Sequence, residues 1–198
     1  MKKINSLFFL LFSAFSAISP SWAEEPIPIE LKTPENFASK LCPTPVWNHL
    51  KVVWKGVQDK RPAPDIGQMT LRGEKGVAVI SRQPLDSLFE QALKTLFIQC
   101  GMDLVAPEDE SAYRLSAEIE EFKVGFDKKI ITDKGLAKSR LHFSAERKNE
   151  KISAEVGFQI ESKNFRYAVA KQIEKTAQEL FLSTLEQVPL SPTLKNLK

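Results

Sequence analysis

From Tyr113 to Ile160 the chain repeatedly alternates apolar and polar residues, and a period of two commits this stretch to β-strands with one wet face. Tyr113, Leu115, Ala117 and Ile119 share one parity, and Phe122, Val124 and Phe126 share the opposite one. A β-bulge near Glu120 and Glu121 reconciles the two, because one extra residue flips every later side chain to the other face. Ala137, Ser139, Leu141, Phe143 and Ala145 form a second run, entered through a turn at Asp133, Lys134 and Gly135. Ile152, Ala154, Val156, Phe158 and Ile160 form a third after a tight turn at Lys148 and Asn149. The reading is an antiparallel meander whose apolar face needs a cover.

Two amphipathic segments can supply it. Leu85, Leu88, Phe89, Ala92, Leu93, Leu96 and Phe97 recur at helical spacing, with Pro84 suited to the first turn and Gly101 to a left-handed stop. Val169, Ile173, Ala177, Leu180, Phe181, Thr184, Leu185 and Val188 form a second stripe, ended by Pro189. The expected fold is α+β in two layers, two helices packed on one face of a mostly antiparallel sheet. Leu88, Phe89, Leu96, Ile173, Leu180 and Phe181 should meet Leu115, Leu141, Phe143, Val156 and Phe158 in one core.

The remaining elements are shorter. Leu50, Val52 and Trp54 alternate with Lys51, Val53 and Lys55 as a first strand, Gly76 to Ile80 is a second, and Met102 to Ala106 another. Residues 63–75 carry Pro64, Gly67 and Gly73 and show no period, as expected of a long connection. Five prolines between Pro26 and Pro45 predict an extended arm over 24–46 with neither helix nor central strand. Ile27, Ile29 and Leu31 alternate and could lay that arm along a single domain, residues 47–188. Residues 189–198 read as a frayed tail.

The first residues set the compartment. Lys2 and Lys3 precede an apolar run from Leu7 to Ile18, broken at Pro20 and followed by Ser21-Trp22-Ala23. That is a secretory signal peptide, too short for a bilayer core of ~30 Å, with cleavage expected after Ala23. The protein is therefore expected in the periplasm, under oxidising conditions. Cys42 and Cys100 are then an even pair and the candidate disulfide. The competing reading is a free Cys100 thiol packed as a small hydrophobe, four residues past Leu96. No cysteine follows the apolar run directly. Glu24 holds the place a lipid-bearing cysteine would need.

Composition excludes several function classes. The formal charge of +3 owes two charges to Lys2 and Lys3, so the rest is nearly balanced and makes no case for nucleic acid. His49 and His142, the two histidines, have no cysteine or carboxylate at metal-ligand spacing. There is no Gly-x-Ser-x-Gly elbow and no phosphate-cradling glycine loop. Glu118, Glu120 and Glu121 read as solvated strand residues, not as an acid/base pair. No catalytic residue, metal or cofactor is expected. Asp59 and Arg61, two apart at a strand end, are the remaining pair. Either they bracket the chain's exit into the long loop, or Arg61 is displayed to a partner's acidic or phosphate group.

Asp59-Lys60-Arg61-Pro62, then Ile66-Gly67, then an amphipathic helix closed by Cys100-Gly101, resembles the YajG-type envelope lipoproteins. The order of strand, helix, meander and helix is similar to that of the auxiliary lipoproteins of lipid-transporting ABC systems. The likeness runs from Val46 to Val188. It implies a non-enzymatic periplasmic accessory protein that docks onto a bacterial envelope complex. The alternative is a carrier binding a lipid or other apolar ligand between helices and sheet. The chain departs from the pattern in its missing lipid-bearing cysteine and its proline-rich arm. Its oligomeric state is not written in these residues.

Overall fold

A computed structural model describes residues 25–69, 76–128, 133–162 and 170–197. The expected signal peptide and its cleavage point, Val169 and residues 70–75 lie outside the described residues. Eight strands among these residues form one sheet around a single long strand, β6 (Tyr113–Lys128). Along one edge of β6 runs β7 (Asp133–Arg147), and β8 (Glu150–Ser162) follows it, both pairings antiparallel. The other edge of β6 holds two strands end to end. Its first half pairs with β2 (Leu50–Asp59) and its second half with β3 (Gly67–Met69), both parallel. Beyond β3 lie β4 (Val77–Ser81), antiparallel, and β1 (Ile27–Ile29), parallel to β4; beyond β2 lies β5 (Met102–Leu104), parallel.

The sheet is thus mixed. The antiparallel expectation describes the meander and β3–β4, whereas the pairs β1–β4, β2–β5, β2–β6 and β3–β6 are parallel. Long crossovers make parallel pairing available: α2 (Leu85–Gln99) lies in sequence between β2 and β6 and returns the chain to the same end. The bulge falls where the parity change places it. Ile119 pairs with Leu141 and Glu121 with Arg140, leaving Glu120 as the extra residue. The expected turn at Asp133 to Gly135 is instead strand, paired with Lys128 to Phe126. Its turn-like composition is outweighed by fourteen paired positions along the two long strands.

α2 buries the stripe from Leu85 to Phe97 against β2 and β5, and α3 (Ala170–Gln187) packs on β6, β7 and β8. Phe89 joins the two, with ring centres 5.8 Å from Phe122 of β6 and 4.8 Å from Phe181 of α3. Phe97 packs edge-on against Trp47, Trp54 and Phe143. Ser139 and Thr184 put one polar contact into this core: their hydroxyls bond to each other, and Thr184 Oγ1 also donates to the Leu180 carbonyl. Phe158 is only half-buried at the sheet's edge. Phe158→Ala should therefore cost clearly less than the roughly 3–5 kcal/mol of a fully enclosed phenylalanine. Urea unfolding of that variant beside Phe143→Ala checks the ranking.

The arm contains a helix that its prolines argued against, and the C-terminal residues expected to fray are packed. Residues 37–41 form a short helix, α1 (Phe37–Leu41), in the gap that Pro34 and Pro43 leave free. Ile29, Leu31, Phe37 and Ala38 are buried. Gln178 of α3 clamps Lys32, accepting from its backbone N–H at 2.8 Å and donating to its carbonyl at 2.7 Å. The C-terminal residues are likewise not frayed. Ser191 caps α4 (Pro192–Lys195), Leu194 and Leu197 are buried, and Trp47 Nε1 donates to the Leu194 carbonyl at 2.8 Å. Short apolar anchors hold both ends, a signal too brief to show as periodicity.

Cys42 and Cys100 are joined, with Cα atoms 5.2 Å apart. The Cys100 carbonyl also accepts from the backbone N–H groups of Val46 and Trp47, fastening the segment after α1 to the end of α2. Gly101 permits this. Its φ is +95°, and a Cβ there would lie 2.1 Å from the Trp47 carbonyl oxygen.

Candidate functional site: the break in the sheet

Because β2 and β3 share one edge of β6 without meeting, β6 has a gap in its pairing opposite residues 120–123. β2 leaves at Asp59, beside Ile119, where the Lys60 N–H still donates to the Ile119 carbonyl. β3 enters at Gly67, beside Val124, whose N–H donates to the Ile66 carbonyl at 2.6 Å. Between them the Phe122 carbonyl would lack a strand partner. Arg61 fills that place.

Its guanidinium is turned inward, with only 6 % of the side chain exposed. Nε and Nη2 donate to the two Asp59 carboxylate oxygens at 2.9 and 2.7 Å, a bidentate fork. Nη1 donates to the carbonyls of Asp65 at 3.0 Å and Phe122 at 3.4 Å, and Nη2 reaches Pro64 O at 3.4 Å. The Arg61 N–H donates to Asp59 Oδ1 at 3.1 Å, completing a ring of bonds around the loop. One cation thus satisfies the strand end, the loop and the bare stretch of β6. At Gly67 a Cβ would sit 2.0 Å from the Val124 carbonyl oxygen, so only glycine lets β3 approach β6 this closely.

Partial burial alone would raise the Asp59 carboxyl. The hydrogen bonds from the Arg61 side chain and backbone, with its charge, outweigh that and hold the group below the ordinary carboxylate value. A carboxyl lowered by folding stabilises the fold above its unfolded value, about pH 4, and the contribution fades as pH falls through the folded value. Arg61→Ala should cost about 2 kcal/mol, since it strands the Asp59 carboxylate and the carbonyls of Pro64, Asp65 and Phe122. It should also flatten the acid limb of the stability curve. Melting curves from pH 3 to 7 read both effects; an unchanged melt at neutral pH would deny Arg61 this role.

The bulge at Glu120 gives the gap its outer wall. It sets Glu120 and Glu121 on one side, where both reach Arg140 of β7, Glu120 at 3.0 Å and Glu121 at 3.8 Å. Lys138 adds a bond to Glu121 at 3.2 Å. With Pro62, Ala63 and Lys123 these residues line an open cleft of about 430 Å³. Sequence alone puts Glu118, Glu120 and Glu121 on a wet strand. It does not show that two of them converge on one arginine, although the parity change at the bulge was the signal for it. His142 and His49 lie elsewhere, His142 Nε2 3.0 Å from Ser153 Oγ and His49 Nδ1 3.3 Å from Asp103. Among the described residues no three His, Cys, Asp or Glu side chains converge to hold a metal ion. No helix among them is long and apolar enough to cross a membrane.

These features define an α+β domain built on one long bulged strand, with an arginine-plugged notch at its midpoint. Residues 51–197 match a family described as uncharacterized lipoprotein, and the chain belongs to that family. No protein of curated function matches it. Among solved structures, a DUF330-family protein of Xanthomonas campestris is 13 % identical over 83 % of this chain and 90 % of its own, with a TM-score of 0.50. An uncharacterized protein is 12 % identical over 84 % of this chain and 98 % of its own, also at 0.50. A minor lipoprotein of Acinetobacter baumannii is 15 % identical over 72 % and 94 %, with a TM-score of 0.38.

Proposed function

We propose that the protein is an exported, non-enzymatic accessory protein of the YajG type that works in the periplasm by docking onto an envelope complex. What carries this reading is the filled space between helices and sheet. Phe89, Phe97, Phe122, Phe143 and Phe181 are each no more than 1 % exposed and lie edge-to-face along it. A carrier of a lipid or other apolar ligand needs a cavity of several hundred Å³ at that position. The described clefts instead open to the surface between charged residues. Membership of a lipoprotein family supports the envelope location. Both cysteines of the sequence are bonded to each other, so neither thiol is free for acylation, and we read this member as held at the envelope by a partner.

The test is capture of the protein from cross-linked envelopes, with mass spectrometry of proteins and of extracted lipids. A defined protein partner, lost when Lys123 and Lys138 at the cleft are reversed to glutamate, is the expected result. Recovery of one lipid per chain, with no protein partner, would make the protein a carrier.

A further inference from the structure

The sheet ends very differently on its two sides. β1 and β5, the outer strands on one side, are three residues long, and Pro28 blocks one backbone donor of β1. Short edges with proline are how sheets avoid pairing with other chains. β8, on the other side, is thirteen residues long and pairs with β7 throughout without a register shift. No strand among the described residues pairs with its outer edge. Its inward parity, Ile152 to Ile160, contains no charge and no proline. Ile152, Phe158 and Ile160 remain half-buried there, as does Leu182 of α3. An edge this long and regular is a template for another strand.

We propose that β8 pairs antiparallel with β8 of a second copy, about a two-fold axis through Val156, joining the two sheets. The sequence of the strand selects this occupant and this register. An antiparallel pair keeps both apolar rows on one face only when whole-residue registers match in parity. The register centred on Val156 sets Lys151 against Glu161 at both ends, by symmetry. It also places Ile152 against Ile160, Ala154 against Phe158 and Ser153 against Gln159, so each apolar side chain meets another. The register centred on Glu155 sets that carboxylate against itself. The register centred on Gly157 leaves Glu161 opposite Ser153, with no cation. Lys151 and Glu161 are both exposed, and their contacts among the described residues lie at the surface: Lys151 with Glu146 at 3.1 Å, Glu161 with Gln159 at 2.9 Å. Exposed contacts of this kind are weak enough to exchange for a pair across the interface. A two-fold interface of this kind closes on itself and buries the edge completely.

The test is sedimentation velocity of the wild type, Lys151→Glu, Glu161→Lys and the double exchange, with a thermal melt of each. The wild type is expected as a dimer. Each single change sets like charges opposite at two symmetric positions and should weaken dimerisation about tenfold. The double exchange restores opposite charges in the same register and should restore the dimer, while melts taken at dilutions where only monomer is present should differ by no more than a surface ion pair accounts for. A wild type monomeric up to ~100 µM would overturn the proposal and leave the edge to a strand of a different protein. So would a dimer indifferent to the single changes, or one that the double exchange fails to restore.

Discussion

Replacing Cys42 and Cys100 together by alanine is expected to lower stability by roughly 4 kcal/mol, a fall in melting temperature of about 10 °C. The bond closes a loop of 58 residues that contains β2, β3, β4 and all of α2. On the chain-entropy account, cross-linking a loop of that length removes much of the unfolded chain's freedom. The folded state should keep its shape without the bond. The Cys100 carbonyl still accepts from Val46 and Trp47, and Gly101 still turns beneath Trp47. The double variant should therefore give a native circular dichroism spectrum with an early melt. Reductant should reproduce the effect slowly, because both sulfurs are in buried residues and must be uncovered first. A loss below about 1 kcal/mol would place the stabilisation elsewhere, since this model assigns most of it to the unfolded state.

Periodicity is local, and what it revealed was local. The parity change between Ile119 and Phe122 located the bulge, and the stripe from Leu85 to Phe97 located α2 with its buried face. Pairing between distant strands leaves no such trace. Nothing near Leu50 or Gly67 says that β2 and β3 run along the same edge of β6 and in the same direction as it. The parallel half of the sheet was invisible for that reason. The same limit governs the site. Asp59 and Arg61 were legible as a pair because they are two residues apart. The carbonyls of Asp65 and Phe122 were not, because Phe122 becomes a neighbour only once the sheet is assembled around its gap. Gly67 looked like loop punctuation and is instead the contact that brings β3 against Val124. The helix within the arm and the packing of the tail were missed for a simpler cause. Phe37, Leu194 and Leu197 are isolated apolar residues among prolines and polar ones, and single anchors carry no period.

Phe89→Ala should be the most damaging core substitution, at about 3–5 kcal/mol. Phe89 is fully buried at a point where α2, α3 and β6 meet, with Phe181 and Phe122 both edge-to-face against it. Removing the ring forfeits its transfer energy, two aromatic contacts of about 0.5–1.5 kcal/mol each, and the filling of the space it leaves. Collapse into that space is hindered. α2 is tied at its C-terminal end through Cys100, and α3 is tied to the arm through the Gln178 clamp on Lys32. A helix held at such points cannot slide inward to close a gap, so the cavity should persist. Two measurements follow: a urea midpoint well below that of Phe158→Ala, and uptake of a benzene-sized apolar probe by the variant but not by the wild type. The second bears on function as well as packing. A wild-type protein that already binds such a probe between α2, α3 and the sheet would possess the cavity a carrier requires, and the docking reading would lose its main support.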